Sequence, residues 1–242
     1  MPKQPYFAEN GEEVPSVTQI TGKYKNMSGL MKWYYDEGAS GQPFNAKRDR
    51  AGNIGTAMHH MISSHITGHS LDASIVMAAG IDQPMVHILF DKFRRWWEGL
   101  KVMEVICTEK MLVSERYRYG GTPDLVALDA NGTAVIFDWK TSSDFYQEML
   151  MQGAAYRQLV GEATGVIAPT AQFILIAKDR PRISVYTLLA EHMDPALDKF
   201  ITLRAAYELE DTLDSIVKRI RKDAVRHDYS YSEAAPGTAQ AG

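Results

Sequence analysis

The sequence predicts an α/β fold, and three patterns along the chain support that prediction. Segments in the first hundred residues have apolar side chains at helical spacing, most clearly residues 84–100. β-prone runs separated by turn residues follow between residues 102 and 137. A helical segment, two more β-prone runs and a long terminal helical segment complete the chain. The predicted order is therefore helices, three strands, a helix, two strands and a helix.

The N-terminal part is predicted to be mostly helical after an irregular arm of residues 1–14. Ser16 has the residue type of a helix N-cap, and Gly38 is typical of a helix end. Residues 38–53 contain glycines, a proline and several basic residues, and we interpret them either as a mobile basic loop or as plain surface charge. The helices predicted in this part are residues 17–23, 27–37, 55–68, 71–80 and 84–100. The apolar stripe of the last of these consists of Val86, Leu89, Phe90, Phe93 and Trp97.

The remaining elements are predicted from β-propensity and from proline and glycine positions. Strand signals run from residue 102 to residue 113 and on both sides of residues 131–132. Pro195 is predicted to open the final helix, because proline is tolerated in a first turn. The later elements are a helix at residues 145–160, strands at residues 172–178 and 183–188, and a helix at residues 195–227.

The composition suits one sizeable globular domain. The chain has 242 residues, of which 45% are hydrophobic and 23% are charged. We expect residues 1–100 to form a helical region of that domain, residues 101–228 to form its core and C-terminal helix, and residues 229–242 to form a disordered tail. The net charge of −4 gives no general attraction for a polyanion, so such a ligand would need a local basic groove.

The single cysteine, Cys107, excludes an intramolecular disulfide and suits a reducing compartment. The polar N-terminal sequence does not resemble a signal peptide. The longest uncharged apolar stretch, residues 163–177, contains Pro169 and is too short to span a bilayer. We therefore expect a cytoplasmic protein, in the host cytoplasm if a virus encodes it, with no membrane partner.

A hairpin is predicted around Asn131 and Gly132, in one of two registers. A two-residue loop at these positions pairs Asp138 with Leu125. Asp124 and Asp138 then point to opposite faces, because side chains alternate along a strand. A three-residue loop with Gly132 in the left-handed conformation pairs Asp124 with Asp138 instead.

We favour the three-residue loop, because it gathers Asp124, Asp138 and Lys140 on one face and leaves Trp139 on the other. Two converging carboxylates repel each other unless a cation lies between them, and hard divalent ions take oxygen ligands. A nearby ammonium can orient an attacking water and neutralise charge on a phosphoryl oxygen. This set of residues suits phosphodiester hydrolysis, although an ordinary hairpin with polar ends has the same pattern.

Four short motifs occur in order between residues 55 and 156. They are GxxxH at residues 55–59, GTPDL at residues 121–125, DWKT at residues 138–141 and QxxxY at residues 152–156. Together they resemble the PD-(D/E)xK nuclease superfamily and its RecB-type exonuclease branch. The VPSVT segment at residues 14–18 also resembles the start of viral and mitochondrial genome-maintenance exonucleases of that branch.

The resemblance implies a restriction-endonuclease-like mixed β-sheet core flanked by helices, with an N-terminal helical region. It implies that Asp124, Asp138 and Lys140 are catalytic. It also implies one or two Mg²⁺ or Mn²⁺ ions, held by His59, Asp124, Asp138 and the backbone carbonyl of Trp139.

Further residues have two interpretations each. Glu109 and Glu115, on the strand before the hairpin, are candidates for holding a second ion or for a solvated sheet edge. Gln152 and Tyr156 share a helical face and are interpreted as DNA-phosphate contacts, as supports for Lys140 or as a core-facing pair.

Basic residues are predicted to follow the DNA backbone, in particular Arg48 and Arg118. The basic residues after position 217 are interpreted as a solvated helical face. Three more histidines near His59 suggest zinc, but the single cysteine is far away in sequence. The single cysteine also excludes the four-cysteine iron–sulfur cluster of some relatives. Ser63 stands where relatives often carry a glutamate.

These observations predict a metal-dependent DNA exonuclease that acts from a free end in viral or bacterial recombination, repair or replication. The predicted partners are single-stranded or double-stranded DNA with a free end and a recombination or single-strand-binding protein. The alternatives are an endonuclease of the same superfamily, either a restriction or a structure-specific enzyme, and an inert nuclease-like module that binds DNA or a partner.

Overall fold

The structure is a computed structural model and describes residues 4–25, 44–180 and 182–223. The described residues up to 205 form one compact unit, and those from 206 to 223 belong to a second. The predicted helix at residues 27–37 and the predicted tail at residues 229–242 lie outside the described residues. Within the described ranges, we find no helix with the length and apolar character needed to cross a membrane.

The helices and the strands of the main sheet follow the predicted order, but the prediction missed three short strands, at Tyr6–Phe7 and Glu13–Val14 in the predicted irregular arm and at Tyr119–Gly121. The single strand predicted at residues 102–113 is divided into Val102–Thr108 and Leu112–Ser114. The helices of the described residues are α1 (Val17–Lys23), α2 (Phe44–Thr67), α3 (Ala73–Met77), α4 (Gln83–Gly99), α5 (Gln147–Thr164) and α6 (Ala190–Asp223), with a 3₁₀ turn at Gly80–Asp82. The strands are β1 (Tyr6–Phe7), β2 (Glu13–Val14), β3 (Val102–Thr108), β4 (Leu112–Ser114), β5 (Tyr119–Gly121), β6 (Leu125–Asp129), β7 (Ala134–Lys140), β8 (Thr170–Leu175) and β9 (Ser184–Leu189).

The main sheet has five strands in the order β3-β6-β7-β8-β9. Strands β7 and β8 are parallel, and the other neighbours are antiparallel, so the sheet is mixed. Strand β7 occupies the centre and is buried along nearly its whole length. The predicted α/β fold, a mixed sheet flanked by helices with a helical region before it, is confirmed.

One face of the sheet packs against α2 and α4. Val86, Leu89 and Phe93 of α4 are fully buried, which confirms the predicted stripe. The Phe93 ring meets the Trp139 ring edge to face, with 5.4 Å between the ring centroids. Trp139 is 2% exposed, so the residue between Asp138 and Lys140 anchors the end of β7 in this core.

The helix α5 approaches the strands closely because glycines lie at the points of contact. A Cβ on Gly153 would lie 2.9 Å from Leu188 Cδ1 and 3.1 Å from Phe173 Cε2. A Cβ on Gly121 would lie 2.8 Å from Tyr156 Cε1. The close packing brings the buried face of α5, which carries the QxxxY residues, against the strand ends.

The predicted N-cap at Ser16 is confirmed by reciprocal hydrogen bonds with Gln19. The Gln19 N–H donates to Ser16 Oγ at 3.1 Å, and the Ser16 N–H donates to Gln19 Oε1 at 2.7 Å. The loop predicted at residues 38–53 is wrong from residue 44 onward, because α2 begins at Phe44. Burial of the α2 face that contains Ile54 compensates for the glycines that suggested a loop.

The predicted start of the last helix is also wrong. The helix α6 begins at Ala190, immediately after β9, and Pro195 lies inside it. The Leu189 N–H donates to Nδ1 of His192 at 3.1 Å, which satisfies a backbone donor at the junction. The helix therefore begins without a proline at its first turn.

Candidate active site

The hairpin between β6 and β7 has the three-residue loop. Leu125 pairs with Phe137, so continuing the register places Asp124 opposite Asp138. The loop consists of residues 130–132, and Gly132 has φ +74°, a conformation that glycine adopts without strain. The predicted register is confirmed.

Four polar side chains meet where this hairpin ends, and we call them the acidic corner: His59, Asp124, Asp138 and Lys140. Lys140 Nζ forms an ion pair with Asp138 Oδ1. His59 Nδ1 lies 3.2 Å from Asp124 Oδ1. The Trp139 N–H donates to Asp124 Oδ2 at 2.9 Å, so the backbone of one strand fixes the carboxylate of the other.

His59 belongs to α2. This helix packs on the sheet face that contains Trp139, opposite the face that contains Asp124, Asp138 and Lys140. Ala57, Met58 and Ile62 are fully buried and fix the rotation of the helix. The His59 side chain is 34% exposed, so one side of the ring is open to solvent. The neighbouring His60 has a different contact, since its Nε2 accepts the Asp72 N–H at 2.9 Å.

Gln152 supports the acidic corner from α5. Its Nε2 donates to Asp138 Oδ2 at 3.3 Å and to the Tyr156 hydroxyl at 2.9 Å. Both residues are buried, at 7% and 4% exposure. The hydrogen bond reaches Asp138, not Lys140 as one interpretation predicted, and the contact with DNA stays a prediction.

The two carboxylates differ in their electrostatics. Burial raises the pKa of Asp138 to about 6, with the charge of Asp124 adding to the shift and Lys140 opposing it. Burial also acts to raise the pKa of Asp124, but His59, Lys140 and the Trp139 N–H outweigh it, and that pKa is lowered. Asp138 is therefore the carboxylate that gains most from an added cation.

The pKa values of the two bases of the acidic corner are both raised. Burial acts to lower the pKa of His59, but Asp124 outweighs burial and raises that pKa above its usual 6.5. Burial likewise acts against the charge of Lys140, while Asp138 and Asp124 raise its pKa. Lys140 therefore carries a positive charge beside Asp138 at neutral pH.

The residues fit a divalent cation by donor chemistry. They supply two carboxylates and an imidazole, and Asp138 Oδ1 is buried without a hydrogen bond of good geometry besides its ion pair. Among the described residues, no three His, Cys, Asp or Glu side chains already stand in metal-ligand geometry. His59 and Lys140 contact the carboxylates directly, so an ion would have to replace part of these contacts.

Glu109 lies beside the acidic corner but not on a strand. It follows the end of β3, with φ +45°. Its N–H donates to the Asp124 carbonyl at 3.2 Å. Burial and the Asp124 charge raise the pKa of its carboxyl. The structure therefore places Glu109 near the predicted ligands, although the predicted strand position is wrong.

Glu115 and Arg118 belong to a separate ion-pair network in the turn between β4 and β5. Arg118 contacts Glu115 Oε2 at 3.2 Å and Glu12 Oε2 at 2.6 Å. The other oxygen of Glu115 accepts the Glu9 N–H at 2.9 Å. The predicted strand position of Glu115 is wrong, and the ligand role of Glu115 and the DNA contact of Arg118 stay predictions.

Arg48 lies on α2, three turns before His59, and is exposed. Its guanidinium contacts Asp49 at 3.0 Å on the surface. The structure places Arg48 on a helix instead of the predicted loop, and its DNA contact stays a prediction.

Sequence reasoning missed Tyr6, which lies next to the GTPDL motif at residues 121–125. The Tyr6 hydroxyl is 2.8 Å from Thr122 Oγ1. Its ring occupies the space above Gly120, where a Cβ would come within 2.2 Å of the ring. The available signal was the Gly120-Gly121 pair, since glycine in a strand often marks close approach of another group.

Comparisons with known proteins do not assign a function to this chain. No family model and no curated protein matches it. Among solved structures, the chain is similar to a protein from Eubacterium rectale that is provisionally named an exonuclease, with 15% identity, a TM-score of 0.36 and coverage of 86% of this chain and 78% of the other. It is also similar to LHK-Exo in complex with dAMP, with 14% identity, a TM-score of 0.39 and coverage of 72% and 92%. Similarities this low carry no functional argument by themselves.

Proposed function

We propose that this protein is a divalent-metal-dependent deoxyribonuclease that hydrolyses phosphodiester bonds from a free DNA end. The observation that carries the proposal is the acidic corner: two converging carboxylates with an ammonium on one side and an imidazole on the other. Its location at the end of a buried central strand holds the groups rigidly, which catalysis requires.

Each residue of the acidic corner has a proposed role. Asp124 and Asp138 would hold one or two Mg²⁺ or Mn²⁺ ions, with His59 and the Trp139 carbonyl as further ligands. A bound ion would supply Lewis-acid polarisation of the phosphate and lower the pKa of water. Lys140 neutralises the charge that develops on the phosphoryl oxygens and orients the attacking water.

The supporting residues keep the reacting groups in place. Gln152 donates to Asp138 and receives support from Tyr156, so the carboxylate keeps one orientation. The Trp139 N–H fixes Asp124 in the same way. These hydrogen bonds keep both carboxylates oriented before a cation binds.

An inert DNA-binding or partner-binding module is the weaker alternative. Placing two carboxylates together in a buried corner is unfavourable unless a cation is used there, as the raised pKa of Asp138 indicates. A module that only binds gains nothing from this cost. An endonuclease has the same chemistry, and only the path of the DNA to the corner distinguishes it from an exonuclease.

The biological role in viral or bacterial recombination, repair or replication rests on the resemblance of the four motifs. A recombination protein or a single-strand-binding protein is the partner that such a role implies.

One nuclease assay distinguishes an exonuclease, an endonuclease and an inert binding module. Linear and circular DNA, each single-stranded and double-stranded, are incubated with the protein and Mg²⁺, Mn²⁺ or EDTA. Degradation of linear DNA with intact circles supports an exonuclease, and cut or nicked circles support an endonuclease. Binding without any cleavage in either metal contradicts the proposed enzyme.

The assay needs a matched pair of lysine variants to exclude a contaminating nuclease. Lys140→Ala removes the ammonium of the acidic corner, whereas Lys101→Ala removes an exposed lysine just before β3. We expect activity to be lost in the first variant and retained in the second. Loss in Lys140→Ala alone assigns the cleavage to this protein, whereas equal activity of the two variants would contradict the catalytic role of Lys140.

A further inference from the structure

The end of α6 carries an exposed apolar stripe. Leu209, Leu213, Ile216 and Ile220 are 60%, 58%, 37% and 61% exposed. Their spacing of four, three and four residues is that of the a and d positions of a coiled coil. Exposed apolar side chains scattered singly are common, but a row at heptad spacing indicates a helical partner.

The charges of the same segment are divided between its two halves. The first half is acidic and the second half is basic. The acidic residues are Glu208, Glu210, Asp211 and Asp214, and the basic residues are Lys218, Arg219, Arg221 and Lys222. A helix with opposite charges at its two ends is complementary to a second copy of itself in the antiparallel direction.

The apolar spacing selects the same antiparallel arrangement. A twofold axis between residues 214 and 215 places Leu209 of one copy opposite Ile220 of the second copy. The same axis places Leu213 opposite Ile216. Each of these layers combines one a position with one d position, as antiparallel coiled coils require. A parallel arrangement would place acidic residues beside acidic ones.

We propose that this segment, residues 206–223 of α6, is a self-association surface on which a second copy of the chain binds antiparallel. The arrangement is isologous, so both copies use the same surface and the assembly closes as a dimer. The apolar stripe supplies the contact area, and the two charged halves select the direction of the partner helix.

The expected association is weak and concentration-dependent. The segment has a length of about 27 Å, which corresponds to little more than two heptads. A contact between two helical segments of this length buries less surface than the roughly 1,200 Å² of a standard stable interface. The protein should therefore exchange between monomer and dimer in the micromolar range and not form an obligate dimer.

Sedimentation velocity of the full chain over a range of concentrations tests the proposal. We expect the wild type to dimerise and Leu213→Asp to remain monomeric at every concentration. Leu213 is exposed, so the substitution should leave the melting temperature of the monomer unchanged. Ile81→Asp is the matched control, since Ile81 is 81% exposed outside the stripe, and this variant should dimerise like the wild type.

Charge reversal tests the role of the two halves. Glu210→Lys with Asp214→Lys removes the net negative charge of the first half, and Lys218→Glu with Arg219→Glu removes the net positive charge of the second half. We expect each double variant alone to associate less than the wild type, and an equimolar mixture of the two to associate more than either alone. Self-association of each double variant at the wild-type level would overturn the proposed pairing.

Cysteine cross-linking tests the direction. In a Cys107→Ser background, Leu209→Cys and Ile220→Cys should form a covalent dimer when the two proteins are mixed. Neither variant alone should form a covalent dimer, because the two copies of residue 209, or of residue 220, lie about 16 Å apart along the helix in an antiparallel pair. Covalent dimers of either variant alone would indicate a parallel pair and overturn the proposal.

Two other results would also overturn it. A wild type that is monomeric at all concentrations excludes self-association. For such a monomeric wild type, a lower melting temperature of Leu213→Asp would indicate that another part of the same chain covers the stripe. A dimer that persists unchanged in Leu213→Asp would assign dimerisation to another surface.

Discussion

Replacing Asp138 by asparagine should stabilise the metal-free protein and abolish DNA cleavage. Asp138 is 2% exposed, and burial raises its pKa from the usual 3.8 to about 6. Its ionised form is therefore less favourable in the folded protein than in the unfolded chain. Asparagine keeps the size of the side chain and cannot ionise.

The pKa gives the expected magnitude. Between pH 3.8 and about 6 the folded protein binds more protons at this site than the unfolded chain, so stability falls as the pH rises through that window. Above the window, the difference between the usual pKa of 3.8 and about 6 corresponds to about 3 kcal/mol. Asparagine should recover up to that amount, or about 6–12 °C in melting temperature for a protein of this size. Loss of the ion pair with Lys140 reduces the gain.

Thermal unfolding in EDTA at pH 5 and pH 8 measures the effect. We expect Asp138→Asn to melt above the wild type at pH 8 and by a smaller margin at pH 5. The control is Asp91→Asn, which changes an exposed aspartate on α4 and should leave both temperatures unchanged. If Asp138→Asn melts at or below the wild-type temperature at pH 8, the acidic corner is not the unfavourable arrangement inferred here.

Four further substitutions have distinct expected results. Lys140→Met should reduce the cleavage rate by about 10²-fold or more, because it removes the charge that stabilises the phosphoryl oxygens. It should retain the circular dichroism spectrum, because methionine keeps most of the aliphatic chain; full activity would refute the role of the ammonium. His59→Asn should remove a step in the pH–rate profile. The raised pKa of His59 means that a proton competes with a metal ion up to a pH above 6.5, so wild-type activity should rise with pH through that region. Gln152→Leu should weaken Mn²⁺ affinity by about 10-fold to 100-fold, measured by calorimetry, since Asp138 loses its supporting donor. Trp139→Ala should lower the free energy of unfolding by about 3–5 kcal/mol in urea titrations, because it empties a buried aromatic site beside Phe93; a loss below about 1 kcal/mol would contradict the anchoring of β7.

The geometry of the hairpin could be predicted from the sequence because it depends on local chemistry. Gly132 permits the left-handed loop residue, and the alternation of side chains then determines that Asp124 and Asp138 share a face. The Ser16 cap and the stripe of α4 were predictable for the same reason. In each case, residues within one helix or within two consecutive strands carry the signal.

Features that depend on distant contacts were not predictable in this way. The helix α2 extends back to Phe44 through Gly52 and Gly55, and burial of residues such as Ile54 outweighs the low helix propensity of glycine. The contact of Tyr6 with Thr122 joins residues more than a hundred positions apart. No local pattern marks such a pair, except the glycine beneath the ring.

Titration of Mn²⁺ into the metal-free protein, followed by electron paramagnetic resonance, tests most directly whether the acidic corner binds a divalent cation. We expect the wild type to take up one or two ions and Asp138→Asn to lose that uptake while remaining folded. A wild type that leaves Mn²⁺ free in solution, or an Asp138→Asn variant that binds it equally well, would contradict the proposed metal-dependent hydrolysis.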